Sequence, residues 1–102
     1  MITHLNGRLV EKNPMNVVIE CSGVGYNVLI SLHSFSQIGQ EESLRFFTRH
    51  IVREDAQLLY GFVTKDERAV FDLLISVSGI GPNTAMIMLS SLSPEEVASA
   101  IL

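Results

Sequence analysis

Ser78-Gly79-Ile80-Gly81-Pro82-Asn83-Thr84 separates two runs of helical spacing and can continue neither of them. Upstream, Val70, Leu73, Leu74 and Val77 fall at i, i+3, i+4 and i+7, which predicts one buried helix face. Downstream, Ala85, Met86, Leu89 and Leu92 continue a similar stripe. The stretch therefore reads as a tight hairpin between two helices. Gly79 and Gly81 would supply left-handed or crowded backbone positions, and Pro82 suits the first turn of a helix, where its missing N–H leaves nothing unpaired.

Chemistry follows from that geometry. N–H groups of the loop and of the next helix's first turn have no intrahelical partner, so they can bind a phosphate oxygen. A main-chain contact through Gly79, Ile80, Gly81, Pro82, Asn83 and Thr84 would hold a nucleic-acid backbone in position without reading bases. The segment looks like a helix-hairpin-helix element, although an ordinary helix-terminating turn uses the same residue types. A nucleotide-hydrolase phosphate loop is excluded, because neither Lys nor a Lys-Ser/Thr pair follows the glycines.

Working back from the hairpin, Thr64-Lys65-Asp66-Glu67 forms a capping box that starts the first helix. Before it lie five segments of alternating character, at 2–12, 17–22, 26–32, 44–51 and 57–63. Asn13-Pro14-Met15-Asn16 and Gly23-Val24-Gly25 provide turns, and 33–42 reads as a connecting loop with a helical turn near Phe35 and Ile38. Five short strands predict a small barrel. The expected fold class is α+β: an N-terminal five-stranded OB-fold β-barrel over 1–63, then part of a helix-hairpin-helix domain over 64–102. Ser93-Pro94-Glu95-Glu96 would cap a last helix through Val97, Ala98, Ile101 and Leu102. Because that helix stops on apolar residues, the chain reads as the front portion of something longer.

Between the fourth and fifth strands lies Arg53-Glu54-Asp55-Ala56, a charged hairpin tip. It reads as a solvated turn, or as two carboxylates, Glu54 and Asp55, that repel phosphates converging on them. Metal-dependent cleavage would want further acidic ligands, and the sequence shows no such set. Arg45, Arg49 and Arg53 share one side of the fourth strand by the period-two rule, as a small basic track or a solvated face. His4, His33 and His50 fall on separate elements without ligand spacing, so no metal site is expected of them, and no cofactor is expected. The net charge of −4 argues against a surface coated with nucleic-acid-binding charge but leaves room for a local phosphate site. A single cysteine, Cys21, fits core packing and a reducing compartment. With no membrane-length apolar run and no leader pattern at Met1-Ile2-Thr3-His4, a cytoplasmic location is expected.

His50-Ile51-Val52-Arg53-Glu54-Asp55-Ala56-Gln57-Leu58-Leu59-Tyr60-Gly61-Phe62, followed at this distance by the glycine hairpin, resembles the RuvA family of bacterial Holliday-junction-binding subunits. Asn6-Gly7-Arg8-Leu9 and Gly23-Val24-Gly25-Tyr26 are similar too, so the resemblance covers nearly the whole chain. It implies a non-catalytic homotetramer that holds a four-way DNA junction open and works with the RuvB motor ATPase and the RuvC resolvase. Carried over, Gly79, Ile80, Gly81, Pro82 and Asn83 match the family's first hairpin, and Glu54 and Asp55 match its acidic pin. Asn83 stands where many relatives have Lys, which removes a cationic contact and leaves the backbone donors. A second hairpin and the motor-binding domain have no counterpart in these residues. Two other classes remain open: a pure assembly module, and a repair enzyme, which would need a catalytic Lys or an acidic cluster beyond the hairpin.

Overall fold

A computed structural model describes residues 1–92, 95, 96 and 99. The expected last helix over Ser93–Leu102 lies largely outside the described residues. Five strands, β1 (His4–Lys12), β2 (Asn16–Cys21), β3 (Val24–Leu29), β4 (Ser43–Val52) and β5 (Gln57–Phe62), close into a barrel in the order β1-β2-β3-β5-β4. All neighbours are antiparallel except β3 and β5, whose parallel contact at Leu29 and Tyr60 completes the ring. The expected α+β class, an OB-type barrel followed by a helical hairpin, is therefore what the chain adopts.

Two strand boundaries differ from the sequence reading. Ser22 and Gly23, both at positive φ, make the turn between β2 and β3, so Val24 and Gly25 belong to the strand. Strand β3 ends at Leu29 and not at 32, and the helical turn expected near Phe35 is a short helix, α1 (Leu32–Gln37), which Ser31 caps by accepting from Ser34 N–H. Its neighbour Ile38 closes over the barrel interior with Leu5, Val17, Ile19, Val28, Ile30 and Phe46.

Strand β5 is buried on both faces, which explains its nearly continuous apolar character. Leu59 turns into the barrel. Leu58, Tyr60 and Phe62 turn outward, against a second core built with α2 (Lys65–Ile75) and α3 (Pro82–Ser91). Gly61 is required by this double burial: a Cβ there would stand 2.3 Å from Val28 Cγ1, inside any contact distance. The second core joins Tyr60, Phe62, Phe71, Leu74, Ala85, Met86 and Leu89. Phe71 lies against both strand aromatics, with ring centroids 5.3 Å from Tyr60 and 5.1 Å from Phe62.

Of the stripe that spacing predicts, Leu74 is buried and Val70 packs against the core, but Leu73 and Val77 are exposed; the buried face of α2 is Glu67, Phe71 and Leu74. Periodicity caught the face only in part because it contains a carboxylate. Thr64 caps the helix as expected, accepting from Glu67 N–H at 3.2 Å. The Glu67 side chain does not return to close a reciprocal box. Fully buried, it accepts from Ser31 Oγ and Ser34 Oγ, each at 2.5 Å, while Ser34 Oγ also accepts from Val63 N–H. One carboxylate thus ties α1, the end of β5 and the start of α2 together, and its partners satisfy a charge that would otherwise be costly to bury.

Candidate nucleic-acid interface

Helix α2 ends at Ile75 with Ser76 as its C-cap, and a four-residue turn follows, closed by Ile80 N–H donating to Val77 O at 3.1 Å. Gly79 is the third residue of that turn at φ +89°, where a side chain is strained, so its glycine is dictated by the backbone. Ile80 turns inward onto the second core and anchors the loop. Gly81 is the N-cap of α3, with its carbonyl accepting from Ala85 N–H at 3.0 Å and Pro82 at the first helical position.

Gly81 does not meet the sequence expectation. Its φ is −88°, open to any residue, and a Cβ there would meet nothing within 4 Å. Neither strain nor crowding within the chain calls for glycine. No side chain caps α3, and the N–H groups of Gly81, Asn83 and Thr84 have no intrahelical acceptor by position. Gly81, Asn83 and Thr84 are exposed. These backbone donors at an exposed helix start are of the kind that can hold an anionic oxygen.

Asn83 is held from behind. Tyr60, 1% exposed, donates its hydroxyl to Asn83 Oδ1 at 3.1 Å, linking barrel strand β5 to the first turn of α3. Burial pushes the Tyr60 hydroxyl above its ordinary value, and the Arg53 charge offsets part of that rise. Arg53 belongs to the turn between β4 and β5, closed by Arg53 N–H donating to Ala56 O at 2.7 Å. Glu54 and Asp55 are exposed at its tip. From Gln57, at the foot of that turn, to Tyr60 is about 10 Å of strand, so the acidic tip and the hairpin are two separate features with Tyr60 between them.

The arginine track is broken. Arg49 reaches α2, donating from Nε to Asp72 Oδ1 at 2.8 Å and from Nη2 to Asp72 Oδ2. This two-point pair fixes the helix on the barrel and withdraws Arg49 from any ligand. His4, His33 and His50 do not converge, and no group of three or more His, Cys, Asp or Glu among the described residues could hold a metal ion. Sequence reasoning missed Tyr60, Glu67 and the Arg49–Asp72 pair. Each acts across 23 to 36 residues of chain, where no local spacing signals it.

A closed OB-type barrel that feeds a glycine hairpin between two helices defines a barrel-and-hairpin protein of the α+β class. Comparison with known proteins gives the lineage. The family described as RuvA N terminal domain matches residues 1–61, and the SAM-like helix-hairpin-helix tandem matches residues 71–102. The chain belongs to the RuvA family. It is 57% identical over 101 residues to the Holliday junction branch migration complex subunit RuvA of Christiangramia forsetii, a match covering 99% of this chain and 52% of that protein. The proteins of the same description from Flavobacterium psychrophilum and Porphyromonas gingivalis are each 52% identical, with 99% of this chain covered and 52% and 50% of theirs. The chain spans about half the length of the curated relatives it matches.

Proposed function

We propose that this chain binds four-way DNA junctions through their phosphate backbones, without sequence preference and without catalysing a reaction. It acts as a homotetrameric scaffold in the cytoplasm. Branch migration would draw its energy from a motor ATPase of the RuvB kind and resolution from a RuvC-type nuclease. Residues 1–63 form the barrel unit, and 64–102 form the part that carries the first hairpin. Gly79 to Thr84 supply the phosphate contact, and Glu54 and Asp55 stand as a negative post that keeps strands apart at the crossover.

Gly81 carries this reading. A glycine that the fold does not need, at the mouth of an uncapped helix end, is explained by a ligand backbone approaching where a side chain would sit. The relatives' shared name, a junction branch migration subunit, supports the same substrate. The test is competition between a four-way junction and a linear duplex of equal length, at two salt concentrations, with the oligomeric state recorded by sedimentation. Junction preference in a tetramer is the expected result. Gly81→Val should weaken binding about ten-fold or more, the equivalent of one charge-assisted hydrogen bond per subunit, while the tetramer persists. Equal affinity for both DNAs, or full affinity in Gly81→Val, would reject the reading.

A further inference from the structure

Seven Lys and Arg residues serve this chain, and the fold commits several of them. Arg8 pairs with Glu20, Arg49 with Asp72, and Lys12 donates to Gly39 O beside the Phe35 ring. Arg53 adjoins the acidic tip. The remaining three, Arg45, Lys65 and Arg68, converge on one open cleft of about 390 Å³ between β1, β4 and the start of α2, lined also by Thr3, His4 and Phe47.

No Asp or Glu lines the cleft, and among the described residues none of its three cations forms an ion pair. Phe46 points into the barrel, so Phe47 points out. Its ring carries Lys65 Nζ and the Arg68 guanidinium, each 5.6 Å from the centroid. The two cations are therefore held on one aromatic side chain, three residues apart on a helix, an arrangement that repels itself. Arg68 also donates to Thr3 O at 2.8 Å, which fixes its position. A chain of net charge −4 that gathers three cations with no ion pair and no carboxylate lining the cleft is built to meet an anion there.

We propose that this cleft is a second phosphodiester site, which takes the backbone of duplex DNA independently of the hairpin. The cations are ones that phosphates favour, two Arg and one Lys, with no carboxylate beside them. Phe47 lies about 20 Å along β4 from Arg53, so the cleft and the acidic tip engage different stretches of DNA. The proposal rests on the reading above only for the identity of the polyanion. It assigns to β4 and the start of α2 the ionic part of binding, which the hairpin, lacking any cation, cannot supply.

The test is an amide-resolved NMR titration of the chain with a short linear duplex, repeated with Gly81→Val, with Arg45→Gln/Lys65→Gln, and with polyglutamate as competing polyanion. Arg68 is left alone because it also holds Thr3. The duplex should shift Thr3, His4, Phe47, Lys65 and Arg68 in the parent and in Gly81→Val alike, whether or not the hairpin responds. The double Gln variant should lose these shifts, and its slope of log affinity against log salt should fall by about 1.8, for two phosphate contacts at about 0.9 each. Absence of duplex-induced shifts in the cleft overturns the proposal. So does polyglutamate that shifts the cleft as readily as the duplex, which would mark it as a docking site for acidic protein.

Discussion

At the scale of single residues, two glycines two positions apart are needed for different reasons, and substitution separates them. Gly79 sits at φ +89°, so Gly79→Ala should cost about 1–2 kcal/mol of stability in urea unfolding, the usual penalty for a left-handed alanine. Gly81→Ala should change stability by no more than about 1 kcal/mol, because its backbone is extended and its surroundings are open. Comparable losses at both positions would show that the hairpin is shaped otherwise. Tyr60 offers a test by pH. Its hydroxyl titrates higher in the folded chain than the ordinary value near 10, so the folded state favours the protonated form. The associated stability is complete below about pH 10 and is lost as pH rises through the folded value. Tyr60→Phe should cost about 1 kcal/mol at neutral pH, and the gap between parent and variant should shrink under alkaline conditions. A gap constant with pH would show that the Tyr60 hydroxyl is not buried away from water.

At the scale of elements, what the sequence revealed depended on whether the signal was local. Alternation located all five strands, Thr64 and Pro82 marked two helix starts, and the hairpin between α2 and α3 stood out because Gly79 and Pro82 interrupt helical spacing. The buried face of α2 was read only in part, through Val70 and Leu74, since Glu67 counts as polar in any periodicity and finds its two serines on α1 and its cap. Closure through the parallel β3–β5 contact leaves no trace in spacing either. Glu67→Ala should therefore destabilise by about 3 kcal/mol or more, since it removes two hydrogen bonds to a charge and strands two buried hydroxyls. An exposed-helix value of a few tenths would contradict the network. The acidic tip should act in the opposite sense on binding. Glu54→Gln with Asp55→Asn removes repulsion without disturbing a turn closed by backbone, so junction affinity in a filter-binding assay should rise. A fall would end the repulsion argument.

At the scale of the whole molecule, the barrel and the helices share a core, and this decides how firmly the hairpin is aimed. Tyr60 and Phe62 belong to a barrel strand, yet their rings are buried by Phe71, Leu74, Ala85, Met86 and Leu89 of the helices. Without the helices, the outer face of β5 would present two aromatic rings to water. Without the strand, α2 and α3 would have little to pack on. Arg49 with Asp72 and Glu67 with its serines bind the same two parts at other points. Barrel and helices should therefore unfold together, despite the division into two units that the sequence invites. Removing Phe71, which touches both strand aromatics, should cost about 3–5 kcal/mol as Phe71→Ala. Helix content followed by far-ultraviolet circular dichroism and barrel packing followed by tyrosine fluorescence should shift to lower urea together, on coincident curves. If the helix signal moved alone and the barrel signal stayed, the two parts would be independent. The hairpin would then swing relative to the acidic tip, and a fixed geometry for recognising a four-way crossover would have no structural basis.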